Sequence, residues 1–237
     1  LEKVEKTGQQ PVPFTALSGD WHRHWFLNSN LIDQQQMSKA TTKTQRRKIM
    51  KTLITGANKG IGFALAQNLG HRGYEVLVGA RNETRGQEAV EKLKAEGITA
   101  KFVKVDLDDL NQLTSLSALT DIDLLINNAG ISGNIHSDKG HLDMEKSAFD
   151  YSTTDLEETI KTNFLGTHAV IKELLPHSLT ENAKIINITV PVSQEYWMPL
   201  AYVTSKAAQN AMTFAFGHQF KKDKSKKQIF AVMPGAV

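Results

Sequence analysis

The stretch Leu53-Ile54-Thr55-Gly56-Ala57-Asn58-Lys59-Gly60-Ile61-Gly62 decides how the rest of the chain is read. A short apolar run ends in closely spaced glycines and passes straight into a helical pattern. Glycine reaches positive φ and carries no Cβ, so the backbone here can turn tightly and lie against a ligand. The helix that starts near Ile61 aims its free N–H groups and positive dipole end into the turn. That arrangement is a phosphate site, best suited to the pyrophosphate of a dinucleotide. The spacing is Gly-x-x-x-Gly-x-Gly, not the Gly-x-Gly-x-x-Gly of the common dinucleotide fingerprint. Alone, the run does not separate a phosphate turn from a flexible loop.

Outward from it, short apolar runs alternate with longer segments of period near 3.6. The predicted strands are Thr52–Thr55, Glu75–Gly79, Ala100–Val105, Leu124–Asn127, Lys184–Thr189 and Ile229–Met233. The predicted helices are Gly60–Arg72, Thr84–Glu96, Leu110–Leu119, Leu156–Leu179 and Ala201–Lys222. Strand-then-helix alternation with continuously apolar strands implies a parallel sheet covered on both faces. Right-handed crossovers make it a doubly wound α/β sheet, a Rossmann fold, with its ligand crevice at the carboxyl ends of the strands. The long irregular stretch is Ile131–Thr153.

The chain has 237 residues, 40% hydrophobic, enough for one substantial core. A 22% charged content and a net charge of +3 argue against wholesale disorder and against a dedicated nucleic-acid binder. Without cysteine there are no disulfides or thiolate metal sites, and no apolar run reaches the length of a membrane span. A soluble, cytoplasmic protein is expected, without a metal. Residues 1–49 are polar, lack a sustained period and end in Lys43-Thr44-Gln45-Arg46-Arg47-Lys48. They read as a disordered or non-native extension, with a natural start at Met50. Trp21-His22-Arg23-His24-Trp25-Phe26 has no acidic or cysteine partner at ligand spacing. The other end, Pro234-Gly235-Ala236-Val237, leaves a strand and stops, so a C-terminally truncated domain is expected.

Candidate chemistry falls at successive strand ends. After the second strand stands Gly79-Ala80-Arg81-Asn82, with no acid to hold a ribose 2′-hydroxyl. Arg81 and Lys59, two cations, would embrace a 2′-phosphate and favour NADP(H) over NAD(H); otherwise they are ordinary surface charges. After the third comes Asp106-Leu107, an adenine contact, a helix N-cap, or both. After the fourth comes Asn127-Asn128-Ala129-Gly130, where the chain could pass close to a ribose.

Tyr202 and Lys206 are spaced i, i+4 and share one helix face. A phenol with an ordinary pKa near ~10 exchanges protons poorly at neutral pH, and a neighbouring ammonium favours its phenolate. Such a pair can protonate a carbonyl oxygen or deprotonate an alcohol.

Thr55–Gly62, Asn127–Gly130, Asn163, Tyr202/Lys206 and Pro234-Gly235 together resemble the short-chain dehydrogenase/reductase family, in its classical branch. The stretch from Thr55 through Ala80-Arg81-Asn82-Glu83-Thr84-Arg85-Gly86 is most similar to its NADPH-dependent carbonyl reductases. The resemblance spans Met50 to Val237. It implies a nicotinamide cofactor exchanging hydride with a small carbonyl or alcohol. Gly56, Asn58, Lys59, Gly60, Ile61, Gly62, Arg81, Asp106, Leu107, Asn128, Ala129 and Gly130 would line the cofactor. Tyr202 would be the general acid/base, and Lys206 would hold the nicotinamide ribose. Asn163 would anchor a water linking Lys206 to solvent. Pro234, Gly235 and Val237 would border the carboxamide. The family forms monomers or homo-oligomers, the latter through the helices Leu156–Leu179 and Ala201–Lys222.

One departure matters. The family places a Ser at the end of the fifth strand, whereas this chain reads Ile188-Thr189-Val190-Pro191-Val192-Ser193. Thr189 is the preferred substitute and Ser193 the second. Loss of both hydroxyls would remove a donor to the developing oxyanion. That departure motivates an alternative, a dinucleotide-binding sensor or scaffold without turnover.

Overall fold

The computed structural model describes residues 48–132, 146–192 and 199–234. Six strands form one parallel sheet: β1 (Lys51–Thr55), β2 (Glu75–Ala80), β3 (Ala100–Lys104), β4 (Ile122–Asn127), β5 (Leu179–Ile188) and β6 (Gln228–Val232). Their order is β3-β2-β1-β4-β5-β6, the doubly wound arrangement. The helices are α1 (Gly60–His71), α2 (Glu83–Ala95), α3 (Thr153–Ile160), α4 (Thr167–Leu174) and α5 (Leu200–Lys222). The chain turns outward from β1 in both directions, so the carboxyl ends of β1 and β4 flank the topological switch point.

Consecutive apolar residues in β1 are explained by the two cores. Leu53 packs on one face with Leu125, Ile171 and Ile185, while Ile54 packs on the other with Val78, Leu93 and Ile126. Side chains alternate across a strand, so adjacent buried residues require cover on both sides. Leu53 and Ile54 are both fully buried, and each contributes about 1.5–3 kcal/mol on leaving water. Helix α2 is capped by Asn82, whose side chain accepts from the Arg85 N–H at 2.9 Å. Helix α3 opens with a capping box of Ser152 and Asp155.

Two elements differ from the sequence expectation. Leu156–Leu179 is not one helix: α3 and α4 are joined by a π-helical segment, Lys161–Gly166, and α4 ends at Leu174. Leu179 already belongs to β5, paired with Ile122. Apolar periodicity cannot distinguish a widened turn from a regular one, and π turns cluster at functional sites. The predicted helix Leu110–Leu119 is a 3-10 helix over Gln112–Ala118. Its Thr114, Ser115 and Ser117 hydroxyls each donate to a carbonyl three residues back, which favours the tighter turn. Among the described residues no helix is long and apolar enough to cross a membrane. The extension 1–49 lies outside the described residues up to Arg47.

Candidate active site

The glycine turn is built around two close approaches. Gly56 has φ +67°, and a Cβ on Gly62 would meet the Gly56 carbonyl and come within 2.6 Å of Asn128 Nδ2. The turn is pinned by the Ala57 N–H donating to the Gly79 carbonyl at 3.1 Å. Thr55 Oγ1 accepts from the N–H groups of both Asn128 and Ala129 at 3.0 Å. Asn128 Nδ2 donates back to the carbonyls of Thr55 and Gly56, at 3.1 and 3.4 Å. The ends of β1 and β4 are therefore stitched together, with Gly130 exposed beside them.

Helix α1 begins without a side-chain cap and without an acid in its first turn. The N–H groups of Gly60, Ile61 and Gly62 precede its first intrahelical bond, from Phe63 N–H to the Lys59 carbonyl. Donors and dipole thus face the turn with no acid in the helix's own first turn, and Ile61 is exposed beside them. An open polar depression next to the turn is lined by Asn58, Lys59, Arg85, Glu88, Ala89 and Lys92. The cations at this depression are Lys59, Arg85 and Lys92, with Glu88 the one acid among its lining residues; Arg81 is not among them. Arg81 instead leans 3.4 Å from Asp108 across an exposed surface, a contact worth at most about 1 kcal/mol and easily redirected. These residues fit a pyrophosphate bearing a further phosphate: bare helix N–H groups, a turn in which a Cβ would clash, and cations without a carboxylate at the end of β2.

At the end of β3, the Asp106 carboxylate accepts from the Asp108 N–H at 3.2 Å, which closes a local turn and does not cap the next helix. That helix, Gln112–Ala118, has Asn111 at its N-cap position, and its Gln112 N–H donates to Asp109. Leu107 is buried in the core, with Gly166 pressed against it. Asn163 lies in the π turn at 0% exposure. Its side chain accepts from the Ile131 N–H at 2.8 Å and donates to the Ile131 carbonyl at 2.7 Å and to Ser205 Oγ at 2.9 Å. This fixes the chain leaving β4 against α5.

Tyr202 and Lys206 stand in the first turns of α5, and Lys206 reaches the end of β5. Lys206 is 2% exposed; its Nζ donates to the Ile188 carbonyl at 2.8 Å and to Gln209 Oε1 at 3.1 Å. Nζ lies 5.7 Å from the Tyr202 ring centroid. Burial pulls the ammonium down to a pKa of about 8. Burial also pushes the Tyr202 phenol above its ordinary value. The sequence reading expected Lys206 to draw that phenol down; here the ammonium is turned to β5 and desolvation dominates. Thr189, next to Ile188, is 1% exposed and its Oγ1 has no hydrogen-bond partner among the described residues.

The sequence profile of short chain dehydrogenases matches residues 50–237. The chain belongs to the short chain dehydrogenase family. A second profile, of an uncharacterized protein conserved in bacteria, matches residues 1–28, outside the described residues. The chain is 39% identical over 151 residues to Carbonyl reductase (NADPH) 1 of Mus musculus, covering 60% of this chain and 49% of that protein. It is 37% identical over 146 residues to the Homo sapiens protein of the same name, covering 58% and 47%. The chain thus spans about half the length of the curated relatives it matches. A solved variant of an actinorhodin polyketide ketoreductase with NADPH superposes with a TM-score of 0.67 at 25% identity, over 80% of this chain and 71% of that one.

In this short chain dehydrogenase, Ser193, Gly235 and Val237 fall outside the described residues, as does most of Ile131–Thr153; Pro234 is exposed after β6. Sequence reasoning did not single out three groups. Arg85 had a signal, lying one helical turn beyond Arg81 on the helix that follows β2. Thr55 had one too, as the hydroxyl nearest the glycine turn. Gln209 had none, because a glutamine on a helix face reads as solvent-exposed until its neighbours are known.

Proposed function

We propose that this chain carries the site of an NADP(H)-dependent oxidoreductase acting on a small carbonyl or its alcohol. The observation that carries the reading is the buried Lys206 ammonium, held by the Ile188 carbonyl at the end of β5, one residue before Thr189, and 5.7 Å from the centroid of the Tyr202 ring. When bound, the nicotinamide supplies or accepts the hydride equivalent at the carbonyl carbon. Lys59 and Arg85 bind the 2′-phosphate, with Arg81 free to join once released from Asp108. The first N–H groups of α1 hold the pyrophosphate.

Tyr202 holds a proton on its phenol at neutral pH and delivers it to the substrate oxygen in the reductive direction. Thr189 donates a hydrogen bond to the same oxygen as charge develops there. Lys206, as an ammonium, stabilises the phenolate that Tyr202 becomes and offers a donor to a ribose hydroxyl. Asn163 keeps the turn after β4 rigid, so that these groups are presented in one arrangement. The relatives' name, Carbonyl reductase (NADPH) 1, supports both the cofactor and the substrate class. The alternative of a sensor or scaffold finds no support in relatives named as reductases.

The test is to follow NADPH oxidation by the full chain with a panel of aldehydes and ketones, beside direct cofactor titration. Saturable turnover that Tyr202→Phe abolishes is expected. Cofactor binding without turnover on any carbonyl would overturn the catalytic reading.

A further inference from the structure

Gln209 lies on α5 within a turn of Lys206 and is completely buried, at 0% exposure. Its two amide ends have different partners. Oε1 accepts from Lys206 Nζ at 3.1 Å, while Nε2 donates to the Asn163 main-chain carbonyl at 3.4 Å and to Thr167 Oγ1 at 3.3 Å. An ammonium only donates and a carbonyl only accepts, so a carboxamide is suited to join them. The same chemistry sets which end of the amide faces which partner. A carboxylate would set oxygen against the Asn163 carbonyl, and an aliphatic side chain would take one partner from each group, leaving the Lys206 ammonium only the Ile188 carbonyl. Burying a carboxamide is costly unless its ends are satisfied, and here both are.

The brace is anchored on two sides. Asn163 is locked to Ile131 and Ser205. The Gln209 main-chain carbonyl accepts from Thr213 Oγ1 at 2.9 Å, Thr213 Oγ1 accepts from Asn187 Nδ2 at 2.8 Å, and Asn187 Oδ1 accepts from Asn127 Nδ2 at 2.8 Å. Buried hydrogen bonds therefore run from the end of β4 through β5 and α5 to the residue that holds the lysine.

We propose that Gln209 is a positioning residue that fixes the Lys206 ammonium between the end of β5 and the Asn163 turn and favours its charged form. The proposal rests on the Tyr202–Lys206 reading above. With Ile188 and Gln209 each taking one N–H, the third ammonium hydrogen is left for a ligand hydroxyl. The groups facing Lys206 are Tyr202 on α5, the Ile188 carbonyl of β5 and, through Gln209, Asn163 of the π turn. Of these only Tyr202 titrates, and burial alone lowers the lysine's pKa. Hydrogen bonding to the charged form opposes that burial.

The test titrates the full chain, labelled with ¹³C at lysine Cε, by NMR, with K206M assigning the Lys206 signal. Q209L should lower the Lys206 midpoint, and Q209E should raise it by about one pH unit or more. Simple loosening of the packing would admit water and raise it in both variants. A midpoint unmoved by either substitution, or raised by both, overturns the proposal whether or not the protein reduces a carbonyl. If Q209L does not fold, Q209M, similar in length and lacking the carbonyl acceptor, replaces it. In the unaltered protein the Gln209 side-chain amide signals should titrate with the Lys206 midpoint and cease to do so in K206M; an amide insensitive to Lys206 also overturns the proposal. In a protein with turnover, the basic limb of kcat should move with the lysine. Midpoints that move as expected in a protein without turnover would support the brace and reject the catalytic reading.

Discussion

The Lys206 ammonium sits 5.7 Å from the centroid of the Tyr202 ring, one turn further along the same helix, and is held by the Ile188 carbonyl. The cation thus faces the aromatic ring while its nearest hydrogen bonds are to β5 and Gln209. Both side chains are pushed by burial toward their neutral forms, the phenol upward and the ammonium downward. Such a pair keeps the phenol protonated at neutral pH, ready to give its proton.

Tyr202→Phe keeps the ring and removes the proton donor. Turnover should fall about 10²–10⁴-fold, the usual contribution of a positioned acid or base. Cofactor affinity, read by fluorescence titration, should change little. Loss of affinity in proportion to the loss of rate would assign Tyr202 to binding instead.

Lys206 has a pH signature in stability. Its folded pKa of about 8 lies below the ordinary lysine value, so between pH 8 and about 10 the unfolded chain binds more protons than the folded one. Stability of the cofactor-free protein should therefore rise across that window, by at most about 3 kcal/mol. Below pH 8 both states carry the charge and the contribution is flat. Denaturant midpoints measured against pH should show this rise, and K206M should remove it.

Thr189 should separate stability from rate. Thr189→Val preserves shape and removes a buried hydroxyl without a partner among the described residues, so thermal stability should hold or increase. Carbonyl reduction should slow about 10²-fold or more as a donor to the oxyanion is lost. Thr189→Ser should retain most of the rate. Equal rates for the Val and Ser variants would exclude the hydroxyl from the chemistry.

Gly62→Ala places a Cβ against the Gly56 carbonyl and Asn128 Nδ2. Backbone must shift, at about 1–3 kcal/mol of stability, and the turn should lose cofactor. Gly73→Ala, where φ is +88° and space is open, is the control: strained, but without effect on cofactor affinity at saturating temperature-matched stability.

Arg85→Ala should raise KM for NADPH while leaving KM for NADH nearly unchanged, as should Lys59→Ala. Both effects should weaken with added salt, since the cations act through an exposed depression. Equal changes for the two cofactors would place these residues away from the 2′-phosphate.

Much of the fold is legible because its signals are local. Leu53-Ile54 beside Thr55-Gly56 announces a strand buried on both faces that ends in a turn, and five further apolar runs mark the other strands, although the edge strands β3 and β6 are partly exposed. The break at Lys161–Gly166 is not legible, because an apolar face continues through Phe164 and Leu165 whichever way the turn is wound. For the site, Tyr202 and Lys206 are marked by their helical spacing. Arg85 displaces Arg81 beside Lys59 because the first turn of α2 lies over the depression while Arg81 is drawn to Asp108.

By itself the amino-acid sequence determined the order of strands and helices, the glycine turn and the residues that could exchange a proton. These follow from backbone freedom, side-chain period and spacing along the chain. Only the tertiary structure decided that Asn163 spends its amide on Ile131 and Ser205, that Gln209 braces Lys206, and that Tyr202 titrates upward. Each of those depends on which groups from distant segments meet after water has been excluded. Desolvation and hydrogen-bond partners are properties of that meeting, not of the order of residues.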